Sequence, residues 1–254
     1  MAAPTFVKAS NSATDAGGVW DAPTFVSNVT AGNIVVIQIL QDGATSGAVA
    51  ATSYSNLEAL DGTDSSANYI GAFQVGGTSL AILHLWIGRA IANDFGTRIS
   101  GTNSTSEDLY MRSYEFTTCS TGTTLATVIE NGTAGATANG SGTSATVADA
   151  GVTTLGADRL ALNLVAENDD NAIAAFTGQS GGTWAEAVAE YADAGGTDGM
   201  IQLQTAAMAS AGTINGGTAT SPDATDGWGV VGFALIGTTA GYSTFEKVGS
   251  GVLL

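Results

Sequence analysis

The sequence predicts an all-β protein: two tandem, jelly-roll-like antiparallel β-sandwiches related by internal duplication. Three observations lead there. Short apolar runs rich in Val, Ile, Phe and Thr recur along the chain, bounded by Gly, Asp, Asn and Ser, which is the composition of strands and their turns. Charged residues are only 11% of the 254, and Thr, Ser, Asn and Gly take their place; this suits pleated surfaces and tight turns better than helices. The order of the runs then repeats at an offset of roughly 120 residues, the length of one sandwich domain rather than of a solenoid repeat.

Strands are expected over 4–9 (PTFVKA), 33–40 (NIVVIQIL), 80–90 (LAILHLWIGRA), 109–117 (LYMRSYEFT), 124–130 (TLATVIE), 159–166 (RLALNLVA), 200–209 (MIQLQTAAMA) and 228–237 (WGVVGFALIG). Asp42-Gly43, Asp61-Gly62, Asn131-Gly132, Asp198-Gly199 and Asp226-Gly227 punctuate them, because both residues of an Asx-Gly pair tolerate the left-handed conformation of tight hairpins. The closest match between the halves is GTRISGTNSTS with GTINGGTATS, each followed by an aromatic-bearing strand, with Phe116 in one and Phe233 in the other. The boundary falls near residue 121, giving a first sandwich over 1–121, a second over 122–240 and a tail over 241–254. In 183–196 (TWAEAVAEYADAGG) good helix formers follow Thr183, an N-cap candidate. Trp184, Glu186, Val188 and Glu190 also alternate, and strand or irregular structure is the expectation there.

The run 80–90 carries the single histidine. In a strand, Leu80, Ile82, His84, Trp86 and Gly88 face one way, and Ala81, Leu83, Leu85, Ile87 and Arg89 the other. Both faces are largely apolar, so this strand is expected inside a packed layer with His84 a satisfied core residue. A nucleophilic triad would have to use His84, and nothing near it in sequence supplies a partner, so no catalytic residue is assigned. Cys119 is the only cysteine, which excludes an internal disulfide and suits a small buried side chain. One His and one Cys supply a zinc site poorly. The Gly-rich GGTSLA and GQSGGT lack the lysine of a phosphate-binding loop.

The net charge is −17, with only six Lys and Arg. That balance argues against nucleic acid and against an anionic membrane surface as partners. Glu167, Asp169 and Asp170 follow a strong strand and have the hard oxygens calcium prefers, but not the spaced ladder of a calcium loop. A solvated acidic turn is the plainer expectation, and no other cofactor is implied. Trp20, Trp184 and Trp228 lie near turns. They either close the ends of the sandwich cores or, at Trp20 and Trp184, stack on sugar rings. The N-terminus has no basic and apolar leader, and NIVVIQIL is far too short to span a bilayer, so synthesis in the cytoplasm and release by lysis are expected. The apolar GVLL ending hints at docking on a neighbour.

The segment GVWDAPTFVSNVTAGNIVVIQILQDG, followed by GGTSLAILHLWIGRA, GTRISGTNSTS and a late aromatic strand, resembles a β-sandwich module of tailed-bacteriophage structural proteins: fibre, tail and capsid-surface proteins. The turn before the first core strand, commonly Gly-Asp in that family, is Gly32-Asn33 in one half and Ala157-Asp158 in the other. The family's Gly-Trp after the first hairpin has a counterpart in Gly182-Thr183-Trp184 and none in the first half. The resemblance implies a non-enzymatic virion protein on the particle surface, decorating the capsid or forming a tail appendage. Its partners would be other virion proteins and copies of itself. A strongly acidic chain is repelled by packaged DNA, which favours an outer position. The alternative is a carbohydrate-binding adhesin module that recognises host surface glycan.

Overall fold

The computed structural model describes residues 2–15, 18–42, 49–63, 65–76, 81–103, 108–130, 136–141, 146–148, 151–168, 173–192, 199–220 and 227–238. In the first half the strands are β1 (Thr5–Ala9), β2 (Ala13–Asp15), β3 (Gly18–Asp21), β4 (Ile34–Asp42), β5 (Val49–Ser55), β6 (Leu57–Glu58), β7 (Asn68–Val75), β8 (Ala81–Ala90), β9 (Arg98–Asn103) and β10 (Leu109–Thr117). One helical turn, α1 (Leu125–Val128), leads into β11 (Ala136–Ser141), β12 (Thr146–Ala148), β13 (Thr153–Thr154), β14 (Arg159–Glu167), β15 (Thr183–Ala192), β16 (Met200–Ala207), β17 (Gly212–Thr213), β18 (Thr218–Thr220) and β19 (Gly227–Ile236). The chain is thus all-β, as the sequence predicts.

Two large antiparallel sheets dominate. One runs β1-β10-β4-β8-β6, with β2 also pairing β10 and β7 also pairing β8; the other runs β11-β19-β14-β16-β15. Both follow the same connection order. The last long strand of each half lies beside its first core strand, which lies beside the next, with a hairpin partner at the edge. A three-stranded sheet, β3-β9-β5, and two ribbons, β12-β18 and β13-β17, complete the fold.

These elements stack as four layers. Along β4, Ile34, Val36 and Leu40 point into a central core, while Val35, Ile37 and Ile39 point into an outer one beneath the three-stranded sheet. Strand β8 divides likewise: Leu83, Leu85 and Ile87 inward, Trp86 outward. From the second large sheet, Leu160, Leu162, Leu164, Ile201, Leu203 and Phe233 meet the same central core. Its other face is covered by the ribbons through two smaller clusters, one around Val165, Trp228 and Ala219, the other around Ala161, Ala206 and Ile214. A sheet buried on both faces needs apolar residues at consecutive positions. That is why NIVVIQIL and its counterparts lack strict alternation.

The two halves therefore share one core. A bridging polar group in it is well satisfied: the Gln38 Nε2 donates to the Val165 carbonyl oxygen across the interface (2.8 Å), and the Tyr114 hydroxyl donates to the Gln38 Oε1 (2.7 Å). Burial pushes the Tyr114 hydroxyl pKa far up, keeping it a donor. The sheets also touch at Gly227, where an added Cβ would lie 2.6 Å from the Gly76 Cα; there the Gly76 N–H donates to the Trp228 carbonyl (3.1 Å). Only residues without side chains permit that approach.

Two local outcomes concern the sequence expectations. TLATVIE is expected as a strand but contains α1. The Thr124 N–H donates to the Thr127 Oγ1 (3.1 Å), which donates back to the Thr124 carbonyl (2.8 Å), and this closed turn outweighs the β propensity of the run. The edge position beside β19 passes to β11. The segment from Thr183 is a strand, paired with β16 through two register shifts.

Replacing Gln38 by Leu leaves the Tyr114 hydroxyl buried with no acceptor and removes the donor to Val165. Urea unfolding is expected to show a loss of about 2–3 kcal/mol.

Candidate functional site

A concavity lies between two edge strands, β5 of the three-stranded sheet and β7 of the large first-half sheet. It encloses about 420 Å³ and is lined by Val49, Ala50, Ala51, Tyr54, Tyr69, Ala72, Ile82, His84 and Trp86. Register builds it. Tyr69 stands opposite Trp86 and Ala72 opposite His84, with a bulge between Tyr69 and Gly71 that turns Tyr69 outward. The opposite wall, β5, has its own bulge between Ala51 and Ser53.

An aromatic column runs from this groove into the outer core. Tyr69 is 49% exposed, and its ring sits 4.8 Å from Trp86, which in turn lies 6.2 Å from the buried Trp20. His84 stacks beside both upper rings, 6.2 Å from Tyr69 and 6.0 Å from Trp86.

His84 is 3% exposed and held at both nitrogens. Its Nε2 is 3.1 Å from the Gln41 Oε1, an acceptor, so Nε2 carries the proton and donates. Its Nδ1 then accepts from the Tyr69 hydroxyl at 2.9 Å. Burial lowers the imidazole pKa from the ordinary 6.5 to about 4, keeping the ring neutral. Burial also raises the Tyr69 hydroxyl pKa. The proton of that hydroxyl is committed inward, so its oxygen presents only lone pairs to the groove.

Trp20 and Trp184 do not come together. Trp20 is 1% exposed, packed against Trp86 and beneath Gly101, so its ring has no open face for a sugar. Trp184 is half-buried against the cluster around Ala161 and Ala206, on the far side of both large sheets, its indole N–H donating to the Ser180 carbonyl (3.1 Å). The two tryptophans therefore share no face, and a stacking array built on both is not formed. Glu167 ends β14 and is fully buried rather than in a solvated turn; Asp169, Asp170 and the 241–254 tail lie outside the described residues. Among the described residues no three His, Cys, Asp or Glu side chains gather as a metal site, and no helix is long and apolar enough to cross a membrane. Cys119 is buried, and burial pushes its thiol pKa up to about 12.

Buried carboxylates serve the fold. Glu115, fully buried on β10, accepts from the Thr30 N–H (2.8 Å) and the Asn33 Nδ2 (2.6 Å) and pairs with Lys8 (3.1 Å), which ties down the VTAGN turn. In the second half Arg159 joins Glu130 (2.6 Å) and Asp158 (2.7 Å). Sequence reasoning passed over Tyr69 and Gln41. The available signal was alternation from the sole histidine, and neither residue is adjacent to it in the chain.

No protein-family model, curated protein or solved structure matches this chain.

The unfolded chain binds a proton at His84 near pH 6.5 and the folded chain only near 4. Between those values the unfolded state holds more protons, so acidification removes stability. Compared with His84→Gln, the wild-type protein should lose about 3 kcal/mol more between pH 7 and pH 4 in urea titrations, and nothing extra between pH 7 and pH 9.

Proposed function

We propose that this is a non-enzymatic virion structural protein of a tailed bacteriophage, carried on the particle surface as a capsid decoration or tail-appendage component. It acts through contacts with other virion subunits and with copies of itself. The observation that carries this reading is the joining of a stack in which several buried titratable groups are engaged by the fold with apolar side chains left at its surface. Val19 on the outer sheet is 75% exposed, Val26 70%, Leu155 74% and Phe95 56%. Large apolar side chains standing in water favour subunit contacts. Meanwhile His84, Glu115, Glu130 and Arg159 are each engaged by named partners within the core. The net charge of −17 supports an outer position, away from packaged DNA.

The test is immunogold electron microscopy of particles purified from lysates of the producing cells, with antibody raised against the purified protein. Gold at regular positions on intact capsids or tails is the expected result. Particles that stay unlabelled while the protein remains wholly in the soluble fraction would overturn the reading.

A further inference from the structure

The groove beside Tyr69 has features that subunit packing does not require. Trp86 is 3% exposed, and a fold that only needed to close its outer layer could cover it with any apolar side chain. Instead a half-exposed tyrosine lies over it, with its hydroxyl oriented by a histidine that is itself oriented by Gln41. This is a second tier of hydrogen bonds fixing one surface ring, which is how binding platforms are pre-organised. None of the described lining side chains carries a charge at neutral pH, in a chain whose net charge is −17. The volume, about 420 Å³, falls within the range of small-molecule sites, about 300–1,000 Å³. Ala50, Ala51 and Ala72 keep it open.

We infer that this groove binds a neutral carbohydrate, with one sugar ring stacked on the Tyr69 face and its hydroxyls donating to the Tyr69 oxygen and to the outer backbone edge of β5. Each part follows from the groove's chemistry. An uncharged aromatic platform favours the C–H face of a sugar ring. An oxygen whose proton is spent on His84 demands a donor from the ligand, and a sugar hydroxyl is one. β5 ends its sheet, and no described strand pairs its other edge, so backbone donors and acceptors line the wall. The same edge is poorly suited to an added polypeptide strand, because the bulge at Ala51/Ser53 interrupts the regular ladder that strand addition needs. Anionic sugars are disfavoured by the overall charge. The inference is independent of where the protein is carried, so the immunogold result and the result below can fail separately.

The test uses the full chain, titrated with maltose, cellobiose, lactose and chitobiose as neutral probes and with 3′-sialyllactose as the anionic one. Tryptophan emission and saturation-transfer NMR are the readouts. At least one neutral disaccharide should saturate with a dissociation constant of about 1 mM or tighter. Tyr69→Ala should weaken it about tenfold or more, the scale of one aromatic stacking contact. Ala72→Trp, which fills the groove from an exposed position, should abolish binding and keep the wild-type circular dichroism and melting curve; Tyr69→Ala should keep the circular dichroism but melt lower, because it removes the donor to His84 and the ring over Trp86. The inference is overturned if no neutral probe saturates below about 50 mM, or if folded Tyr69→Ala and Ala72→Trp bind as the wild type does. Equal affinity for sialyllactose would overturn it too. So would emission that responds to protein concentration alone and loses that response in Ala72→Trp, which would make the occupant a second copy.

Discussion

Two sheets contributed by different halves of the chain press their inner faces together, and the remaining features are arranged around that contact. Leu83 and Leu85 from one half meet Leu162, Leu164 and Phe233 from the other in one buried layer. Each such side chain, fully buried, contributes roughly 1.5–3 kcal/mol relative to exposure. Exposing that layer would leave two broad apolar sheets in water. The outer layers are thinner and more polar: three strands on one side, two short ribbons on the other. They cover the outward faces, while the central layer sets the positions of β4, β8, β14 and β16. Gln38 fixes how the sheets meet, because a buried amide with one acceptor across the interface and one donor beside it is satisfied in a single alignment.

This arrangement accounts for the groove. With its inner face held by the central layer, β8 presents Ile82, His84 and Trp86 outward at fixed spacing. The three-stranded sheet covers Trp86 from one side through Trp20 and stops at β5, before it reaches β7. The outer edge of the cover is thus open, and Tyr69, turned outward by its bulge, occupies the opening. A neutral histidine is the natural support there. It accepts from one neighbour and donates to another, at the cost of destabilisation once it must take up a proton.

The long strands were legible because burial on both faces leaves a nearly continuous apolar run, broken by Gln38 alone in Ile34–Leu40 and by Asn163 alone in Leu160–Ala166. The face assignment around His84 was legible for the same geometric reason. What covers each face was not, since periodicity reports that a face is buried and is silent on its partner. The short strands β3, β13 and β17 were illegible because runs of two to four residues that include Gly, Thr or Asp read equally as turns. Trp20 near a turn was open to an exposed reading, and its burial depends on Trp86 and Gly101, both remote in the chain. The Tyr69–His84–Gln41 chain joins three strands, and only pairing register brings its members together.

The central claim is that the halves share one core and unfold together. Differential scanning calorimetry of the full chain, with circular dichroism at matched conditions, tests it most directly. The account predicts one transition whose calorimetric and van't Hoff enthalpies agree. Two resolved transitions, each surviving in a fragment of residues 1–121 or 122–254 with native strand content, would contradict it.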